Sequence, residues 1–310
     1  MSAGSITRTR SPRATGERAI RALLGAAAAV SVVTTGLIVF ALLEQTIDFF
    51  GEVGLAEFLL GTKWTPLLGG EQQSFGVVPL VFATLYITGI ALAVAVPLGL
   101  LSAIYLAEYA TPRVRRVVKP VLEVLAGIPT IVLGFFALSF FTPQVLKPLV
   151  EGTGTNNQLA AGILVGVLVI PTIASVAEDA MAAVPAALRE GAFGMGANRM
   201  QVALRVVFPA ALSGVVAGLV LGASRAVGET VVILLAAGNG QLLPDGIVGD
   251  VREPAGSMAA FVAGTAGGDI ATRSLDYKTI FVIGFTLFLI TFLMNLLSIR
   301  LVGRFRQVYE

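Results

Sequence analysis

Two charged side chains, Arg225 and Glu229, lie inside a long apolar stretch in the last third of the sequence. A continuous helix would place them on one face, because they are four residues apart. A charge at the centre of a bilayer costs roughly 2.5–3.5 kcal/mol on insertion scales, so such charges are usually functional. The guanidinium fork of arginine matches the oxygens of phosphate and carboxylate groups. The pattern therefore predicts that Arg225 faces the path of an anionic ligand.

The same residues also have a structural interpretation, in which an ion pair ties their helix to a neighbouring helix. The flanking hydroxyls of Ser224 and Thr230 bond either an oxyanion or carbonyls of their own helix. We predict substrate-pathway roles for Arg225, Glu229, Ser224 and Thr230, and the structural ion pair is kept as the alternative.

The composition indicates that these two charges belong to an integral membrane protein. Of the 310 residues, 56% are hydrophobic and only 13% are charged, whereas soluble domains carry about 25% charged residues. The chain has neither Cys nor His, which excludes disulfides, thiol nucleophiles, the usual zinc sites and histidine acid–base chemistry. We predict no catalytic residue, no metal ligand and no nucleic-acid partner, and an all-α protein of the cell (plasma or inner) membrane in contact with lipid.

Six apolar runs reach or exceed the roughly 20 residues that a helix needs to cross a bilayer of about 30 Å. They are predicted at 22–43, 74–106, 121–146, 158–177, within 207–243, and at 279–302. The first is longer than the apolar part of a signal peptide, so we expect a retained anchor. Pro97, Pro129 and Pro171 predict kinks in three of the runs.

The segments between the runs differ in charge. We predict a disordered basic arm at 1–21, an external loop at 44–73, a core of five membrane-spanning helices at 74–302 that includes a cytosolic loop at 183–209, and a tail at 303–310. Most Lys and Arg residues fall in the arm, the loop after the second run, the 183–209 segment and the C-terminal end. The positive-inside rule then places both termini in the cytosol. A second external loop is expected at 245–278, and Trp64 is expected to anchor the first one at the membrane interface.

The 183–209 segment contains Glu190-Gly191-Ala192, then Gly196, then Val206-Val207-Phe208-Pro209. A short helix, a turn permitted by Gly194 and Gly196, and a second helix leading into the membrane are expected there. Such a protruding element can place one face in a groove of a partner. The chain has no Gly-x-x-x-x-Gly-Lys sequence, so no nucleotide site of that kind is its own.

This register resembles the cytosolic loop of ABC-importer permeases, which reads Glu-Ala-Ala, three residues, Gly, nine residues, then Ile-x-Leu-Pro. Gly191, Val206 and Phe208 replace Ala, Ile and Leu of that pattern. Between residues 58 and 302 the chain is further similar to phosphate permeases of the PstC branch, although Ala83 stands where that branch usually has Gly. The segments that carry this similarity are 58–66, 75–80, 95–99, 104–109, 122–130 and Ser-Arg-Ala-Val-Gly-Glu-Thr at 224–230.

The resemblance implies a six-helix polytopic fold of the type I importer permease, forming half of a pathway for inorganic phosphate. It implies an ATPase dimer that binds ATP and Mg, an extracytoplasmic phosphate-binding protein and a second, homologous permease subunit. This chain would hold no cofactor. The residues implied in ATPase coupling are Glu190, Gly191, Ala192, Gly196 and Pro209.

Charge counting supports the second permease, because Arg225 and Glu229 together sum to zero and cannot compensate an anion. An ionised Glu229 accepts hydrogen bonds but donates none, which would favour protonated phosphate over sulfate. Two alternatives stay open. One is a permease for another oxyanion or small solute, and the other is an ion-coupled secondary transporter or channel that uses Arg225 and Glu229 for gating or proton relay.

Three further acidic residues, Glu123, Glu178 and Asp179, are assigned to local contacts. Lys119 is expected to reach Glu123 one helical turn away. Glu178 and the adjacent Asp179 are expected to face the cytosol or Arg189.

Overall fold

A computed structural model describes residues 12–68, 70–238, 250–271 and 274–305, and this part of the chain is almost entirely helical. The helices, in chain order, are α1 (Pro12–Phe50), α2 (Leu55–Leu60), α3 (Val78–Ile104), α4 (Pro112–Ala126), α5 (Thr130–Phe136), α6 (Lys147–Leu149), α7 (Gln158–Ala182), α8 (Ala186–Gly194), α9 (Arg199–Val202), α10 (Phe208–Ala210), α11 (Leu212–Val227), α12 (Val231–Ala236), α13 (Met258–Ala266) and α14 (Leu275–Phe305). Segments of π-helix extend α3, α5 and α9, and they cover Tyr105–Tyr109, Ala137–Leu146 and Ala203–Val207. Within the described residues, the only β-pairing is an isolated antiparallel bridge between Trp64 and Phe75.

Five helical stretches are long and apolar enough to cross a membrane, and there are six if the bent pair Arg199–Ala210 and Leu212–Val227 counts as one. The two halves of this pair meet at an angle of 74°. The fold class predicted from sequence, an all-α polytopic membrane protein, is confirmed.

The helix bundle has two chemically different ends. We call the end at the C-termini of α3 and α7 the basic end, because the cation-rich helix α4 packs there. The opposite, aromatic end contains a cluster around Trp64. The long helix α1 and the extended α5 run from the basic to the aromatic end, whereas α3, α7 and α14 run the other way.

Helices α3 and α7 form the centre of the bundle and lie parallel. Gly162 and Gly166 of α7 allow this close approach, since a Cβ at Gly166 would stand 2.8 Å from the carbonyl oxygen of Ala91. Toward the basic end the pairing continues with Gly99 of α3 against Ile173 of α7. Small residues at such spacing let membrane helices pack closely.

Helix α11 lies antiparallel to α7 through a second set of glycines. Gly214, Gly218 and Gly222 face successively earlier residues of α7, and a Cβ at Gly222 would stand 2.6 Å from Ile173. After a break of three residues, α12 continues in the same direction. The backbone N–H of Asn157, at the start of α7, donates to the carbonyl of Ala236. The α11–α12 pair therefore runs the full length of α7 and makes the fifth of six crossings in chain order, before α14.

The aromatic end is closed by side chains that sequence reasoning assigned to external loops. Trp64 is fully buried and packs edge-on against Phe261 with a centroid distance of 5.1 Å. Phe261 belongs to α13, which lies inside the predicted 245–278 loop; residues 239–249 and 272–273 of that region lie outside the described residues. The prediction that Trp64 sits at the membrane interface is wrong, because the aromatic cluster encloses its indole.

Two predicted boundaries also differ from the structure. Helix α1 continues from Pro12 through the 22–43 span to Phe50, so part of the predicted disordered arm is helical, while residues 1–11 and 306–310 lie outside the described residues. The third span begins at Thr130 instead of residue 121, because Gly127 ends α4 and Pro129 precedes α5. The stretch before it is the separate helix α4, which carries four cations and three exposed valines.

Candidate functional site

Arg225 lies in the last turn of α11, on the side of that helix that faces α7. Its guanidinium Nη1 donates to the hydroxyl of Thr172 at 3.1 Å. Thr172 is the fifteenth residue of α7, which places it about 21 Å from the start of the helix at 1.5 Å per residue. The Arg225 guanidinium is therefore held near the middle of the bundle, far from either end.

The charge of Arg225 has no anionic partner in the described part of the chain, where no carboxylate approaches it within 4 Å. One neutral hydroxyl uses one of its five N–H donors. The Thr172 residue that accepts this bond also lines a cavity of about 260 Å³ between α4 and α7. The arrangement leaves a cation in the bundle interior with donors free for an anion.

The spacing predicts that Glu229 and Arg225 share a helix face, but in the structure they do not. Helix α11 ends at Val227, and Glu229 lies in the break before α12. Its Oε1 accepts from the backbone N–H of Val232 at 3.4 Å. The spacing rule fails here because Gly228 caps α11, so the helix stops between the two charges. Arg225 and Glu229 form no salt bridge with each other in the part of the chain that the structure describes.

The two flanking hydroxyls have different surroundings. Ser224 donates to Oδ1 of Asn295 on α14 at 3.4 Å, whereas Thr230 donates to the carbonyl of Gly228 at 3.1 Å. Thr172 and Asn295 were both missed by sequence reasoning. Each is a polar residue in an apolar helix, but its partner lies more than 50 positions away in the sequence.

The 183–209 segment forms the expected helix, turn and second helix at the basic end. Helix α8 is followed by Gly196 with φ of +88°, in the left-handed region that favours glycine. Asn198 and Gln201 then form a reciprocal capping box at the start of α9. Ala192 is buried beneath this turn, whereas Glu190, Gly191 and Gly196 are exposed.

The outer face of this element carries large apolar side chains among its charged and polar ones. Phe193, Met195, Met200 and Leu204 are exposed, with Met195 at 86%. Pro209 lies in α10, next to the 74° bend into α11. The segment thus connects an exposed apolar tip to the helix that carries Arg225.

Arg189 fixes α8 to the rest of the bundle. Its Nε and Nη2 donate to Oε1 of Glu108 at 3.1 and 3.0 Å, and two further bonds reach the carbonyls of Met181 and Val184. Met181 lies in the last turn of α7 and Val184 two residues beyond its end, where backbone acceptors otherwise lack helical partners. The tip is therefore braced against both central helices.

Glu178 and Lys119 have partners other than those predicted, whereas Asp179 is exposed at the basic end. Glu178 is fully buried and accepts from Arg115 and from Lys119, the latter at 2.8 Å. Asp179 pairs with the same Lys119 at 2.9 Å. Lys119 thus bonds carboxylates of α7 instead of Glu123, because α4 packs its cationic side onto that helix.

Comparison with known proteins agrees with this architecture. The family described as binding-protein-dependent transport system inner membrane component matches residues 95–307. The probable ABC transporter permease protein YqgH of Bacillus subtilis is 34% identical over 81% of this chain and 79% of its own length. The phosphate transport system permease protein PstC of Haemophilus influenzae is 32% identical over 85% of this chain and 84% of its own length.

The chain is also similar to a second kind of permease and to a solved structure. Phosphate transport system permease protein PstA 1 of Mycobacterium tuberculosis is 34% identical over 56% of both chains. A crystal structure of a bacterial alginate ABC transporter, in complex with alginate pentasaccharide-bound periplasmic protein, matches with a TM-score of 0.60 and 17% identity. The match covers 91% of this chain and 94% of the other, and it shows the fold of an ABC-importer permease.

Proposed function

The chain belongs to the family of binding-protein-dependent transport inner membrane components, and we propose that it forms half of the transmembrane pathway of an ATP-driven importer of inorganic phosphate. The observation that carries this proposal is the uncompensated guanidinium of Arg225 in the middle of the bundle. PstC of Haemophilus influenzae, a phosphate permease by name, supports the choice of substrate.

The backbone around Arg225 suits a substrate site. Helix α11 ends at Val227 and α12 begins at Val231, so the fifth crossing is discontinuous beside the arginine. In transport proteins, discontinuous helices near the midplane supply polar groups to the substrate. In this proposal Arg225 binds phosphate oxygens, Glu229 accepts from a protonated phosphate oxygen, and Ser224 and Thr230 supply hydroxyls nearby.

The remaining components are partner proteins. A second, homologous permease supplies the positive charge that Arg225 and Glu229 together do not provide. The similarity of this chain to a PstA as well as to PstC permeases supports such a heterodimer. An extracytoplasmic phosphate-binding protein delivers the substrate, and an ATPase dimer binds ATP and Mg. The solved relative has a periplasmic protein in its complex.

Coupling runs through the segment between α8 and α11. The exposed tip with Phe193 and Met195 docks on the ATPase through Glu190, Gly191 and Gly196, and the buried Ala192 supports the turn from beneath. Closure of the ATPase dimer moves this tip, and the motion passes through Pro209 and the adjacent bend to α11 and Arg225. The helix is then biased between two states, as alternating access requires. In this orientation the basic end and both termini are cytosolic.

The test is phosphate uptake by the reconstituted importer with Arg225→Gln. We expect loss of uptake, by about 100-fold or more, with normal assembly of the complex, because a neutral amide retains size but not charge. Arg300→Gln, at the exposed end of α14, is the matched control and should transport normally.

Thr172→Val separates this function from a purely structural tie between α11 and α7. It removes the one bond that Arg225 makes in the described part of the chain but keeps the cation. Transport should fall far less than in Arg225→Gln. Equal losses of assembly in the two variants would support the structural role and contradict the proposal.

Two alternatives keep specific tests. A permease for another oxyanion or small solute would show uptake of that solute in preference to phosphate. An ion-coupled secondary transporter would work without an ATPase, so ATP-independent uptake by the purified permeases would exclude the importer.

A further inference from the structure

A second cluster of cations lies at the basic end, apart from Arg225. A cavity of about 490 Å³ opens there between α4 and the turn that ends the α3 helix. Its charged wall consists of Arg115, Arg116, Lys119 and Glu123, and its apolar wall includes Leu106. Three cations and one carboxylate thus face one space that can accommodate a tetrahedral anion.

The cations of this wall are not equivalent. Arg115 and Lys119 already contact carboxylates of α7, whereas Arg116 has no carboxylate within 4 Å in the described part of the chain. The paired cations still keep N–H donors, since a guanidinium has five and an ammonium three. Arg116 therefore supplies the uncompensated charge, and its neighbours supply additional donors.

Glu178 holds the paired cations in position from behind. Its side chain is fully buried, and its two oxygens accept separately, Oε1 from Arg115 and Oε2 from Lys119. Hydrogen bonds from Lys119 to Glu178, and then to Asp179, raise the pKa of Lys119 above its ordinary value and keep it charged. A buried carboxylate that orients two cations in this way pre-organises an anion site.

We propose that this cavity is a binding site for a phosphate group at the basic end of the protein, with Arg116 as its principal ligand. The same chemistry is offered by two sources, a free inorganic phosphate ion and the headgroup of an anionic phospholipid. The site goes beyond the proposed function, since neither Arg225 nor Glu229 takes part in it.

The position of α4 suits either source. Val117, Val121 and Val124 form an exposed apolar stripe on this helix, and Arg116 projects to one side of that stripe. An amphipathic helix with this arrangement lies in the membrane interface, where lipid headgroups and water-borne ions are both accessible.

The experiment uses the assembled complex with the full-length chain and measures two quantities. The first is binding of radiolabelled inorganic phosphate in nanodiscs of phosphatidylcholine alone, without binding protein or nucleotide. The second is the amount of phosphatidylglycerol that stays bound after extraction from phosphatidylglycerol-containing membranes. A variant that binds less radiolabelled phosphate identifies the free ion as the ligand. A variant that retains less phosphatidylglycerol identifies the lipid as the ligand.

We expect Arg116→Gln to lower one of these quantities by about tenfold or more, because a hydrogen bond to a charged group contributes roughly 1.5–3 kcal/mol. The variant should fold, because Arg116 is exposed and makes no ion pair in the described residues. Arg113→Gln is the matched control, since it removes the same charge from α4 but does not line the cavity. It should retain both phosphate and lipid.

Three outcomes would overturn the site. Unchanged binding of both probes in Arg116→Gln and Lys119→Gln would mean that the cavity binds no phosphate group. Equal losses in Arg113→Gln and Arg116→Gln would mean diffuse surface charge. Phosphate binding that is lost only in Arg225→Gln would assign all of it to the pathway and leave the proposed function intact.

Discussion

The hydrogen bond between Arg225 and Thr172 satisfies one donor but cancels no charge. An interaction with a neutral hydroxyl stabilises a partly buried cation such as Arg225 much less than a carboxylate does. The folded chain therefore leaves a charge whose burial is compensated only when another group arrives. In the proposed function a transported anion is that group, whereas the glutamate four residues later is out of reach because α11 ends between the two charges.

Glu229 leads to a residue-scale prediction about selectivity. One of its oxygens accepts from Val232, so the other remains available to accept from a protonated phosphate. Glu229→Gln adds a donor and removes the charge, and we expect the preference for phosphate over sulfate to fall about tenfold. Initial uptake rates with sulfate as competitor measure it.

The control for this substitution is Glu57→Gln, which makes the same change at an exposed site in α2. It should leave selectivity unaltered. If the Glu229→Gln importer rejects sulfate to the same extent as the parent importer, the glutamate has no part in selecting phosphate over sulfate.

Sequence reasoning identified Arg225 and Glu229 because a charge in an apolar run is visible without knowledge of the fold. It missed Thr172 and paired Lys119 with the wrong carboxylate for one physical reason. Local spacing predicts contacts along a helix, but Lys119 and Glu178 are 59 positions apart and meet only when α4 packs on α7. A fully buried carboxylate then outcompetes the exposed Glu123.

At the scale of elements, hydropathy predicts where helices cross but not where they break. The average over a window of about 19 residues passes over a three-residue gap such as the one between α11 and α12. The same averaging predicted α4 and α5 as parts of one span, although Gly127 and Pro129 lie at the boundary between the two helices. Helix α13 was read as loop because the surrounding stretch is rich in Gly and Asp, and its burial depends on Trp64, nearly 200 positions away.

The turn after α8 gives an element-scale prediction with two matched glycines. A Cβ at either Gly191 or Gly196 meets no atom within 4 Å, but only Gly196 has a positive φ. Gly191→Ala should stabilise α8 by about 0.5–1 kcal/mol. Gly196→Ala strains the turn by roughly 1–2 kcal/mol.

The dissociation constant of the purified ATPase dimer for the permease pair in nanodiscs measures both effects. We expect Gly191→Ala to bind as tightly as the parent or slightly tighter, and Gly196→Ala to bind about five- to tenfold more weakly. Unaltered affinity in Gly196→Ala would show that the turn geometry does not matter for docking.

At the scale of the whole molecule, six crossings bring the start of α1, the end of α14 and the α8–α9 tip to the same end of the bundle. The cations of α4 lie at that end too. This agreement between helix count and charge distribution is why the general architecture follows from composition and hydropathy. The depth and orientation of individual side chains depend on helix packing, which composition does not specify.

The absence of cysteine from the sequence makes this topology directly testable. Met195→Cys and Leu60→Cys introduce single thiols at sites that are 86% and 76% exposed, at the basic and aromatic ends respectively. We expect a membrane-impermeant maleimide added outside intact spheroplasts to label Leu60→Cys, and to label Met195→Cys only after lysis. The reverse labelling pattern would invert the proposed orientation.

The enclosure of Trp64 has an optical consequence. Because the chain contains one tryptophan, its indole emission comes from a single place, and the apolar surroundings shift that emission to short wavelengths. The indole contacts Phe261 of α13, so a change in packing at the aromatic end shifts the emission maximum. Movement near α8, at the basic end, leaves the emission maximum unchanged. The permease therefore has an intrinsic fluorophore that distinguishes motion at its two faces without any attached dye.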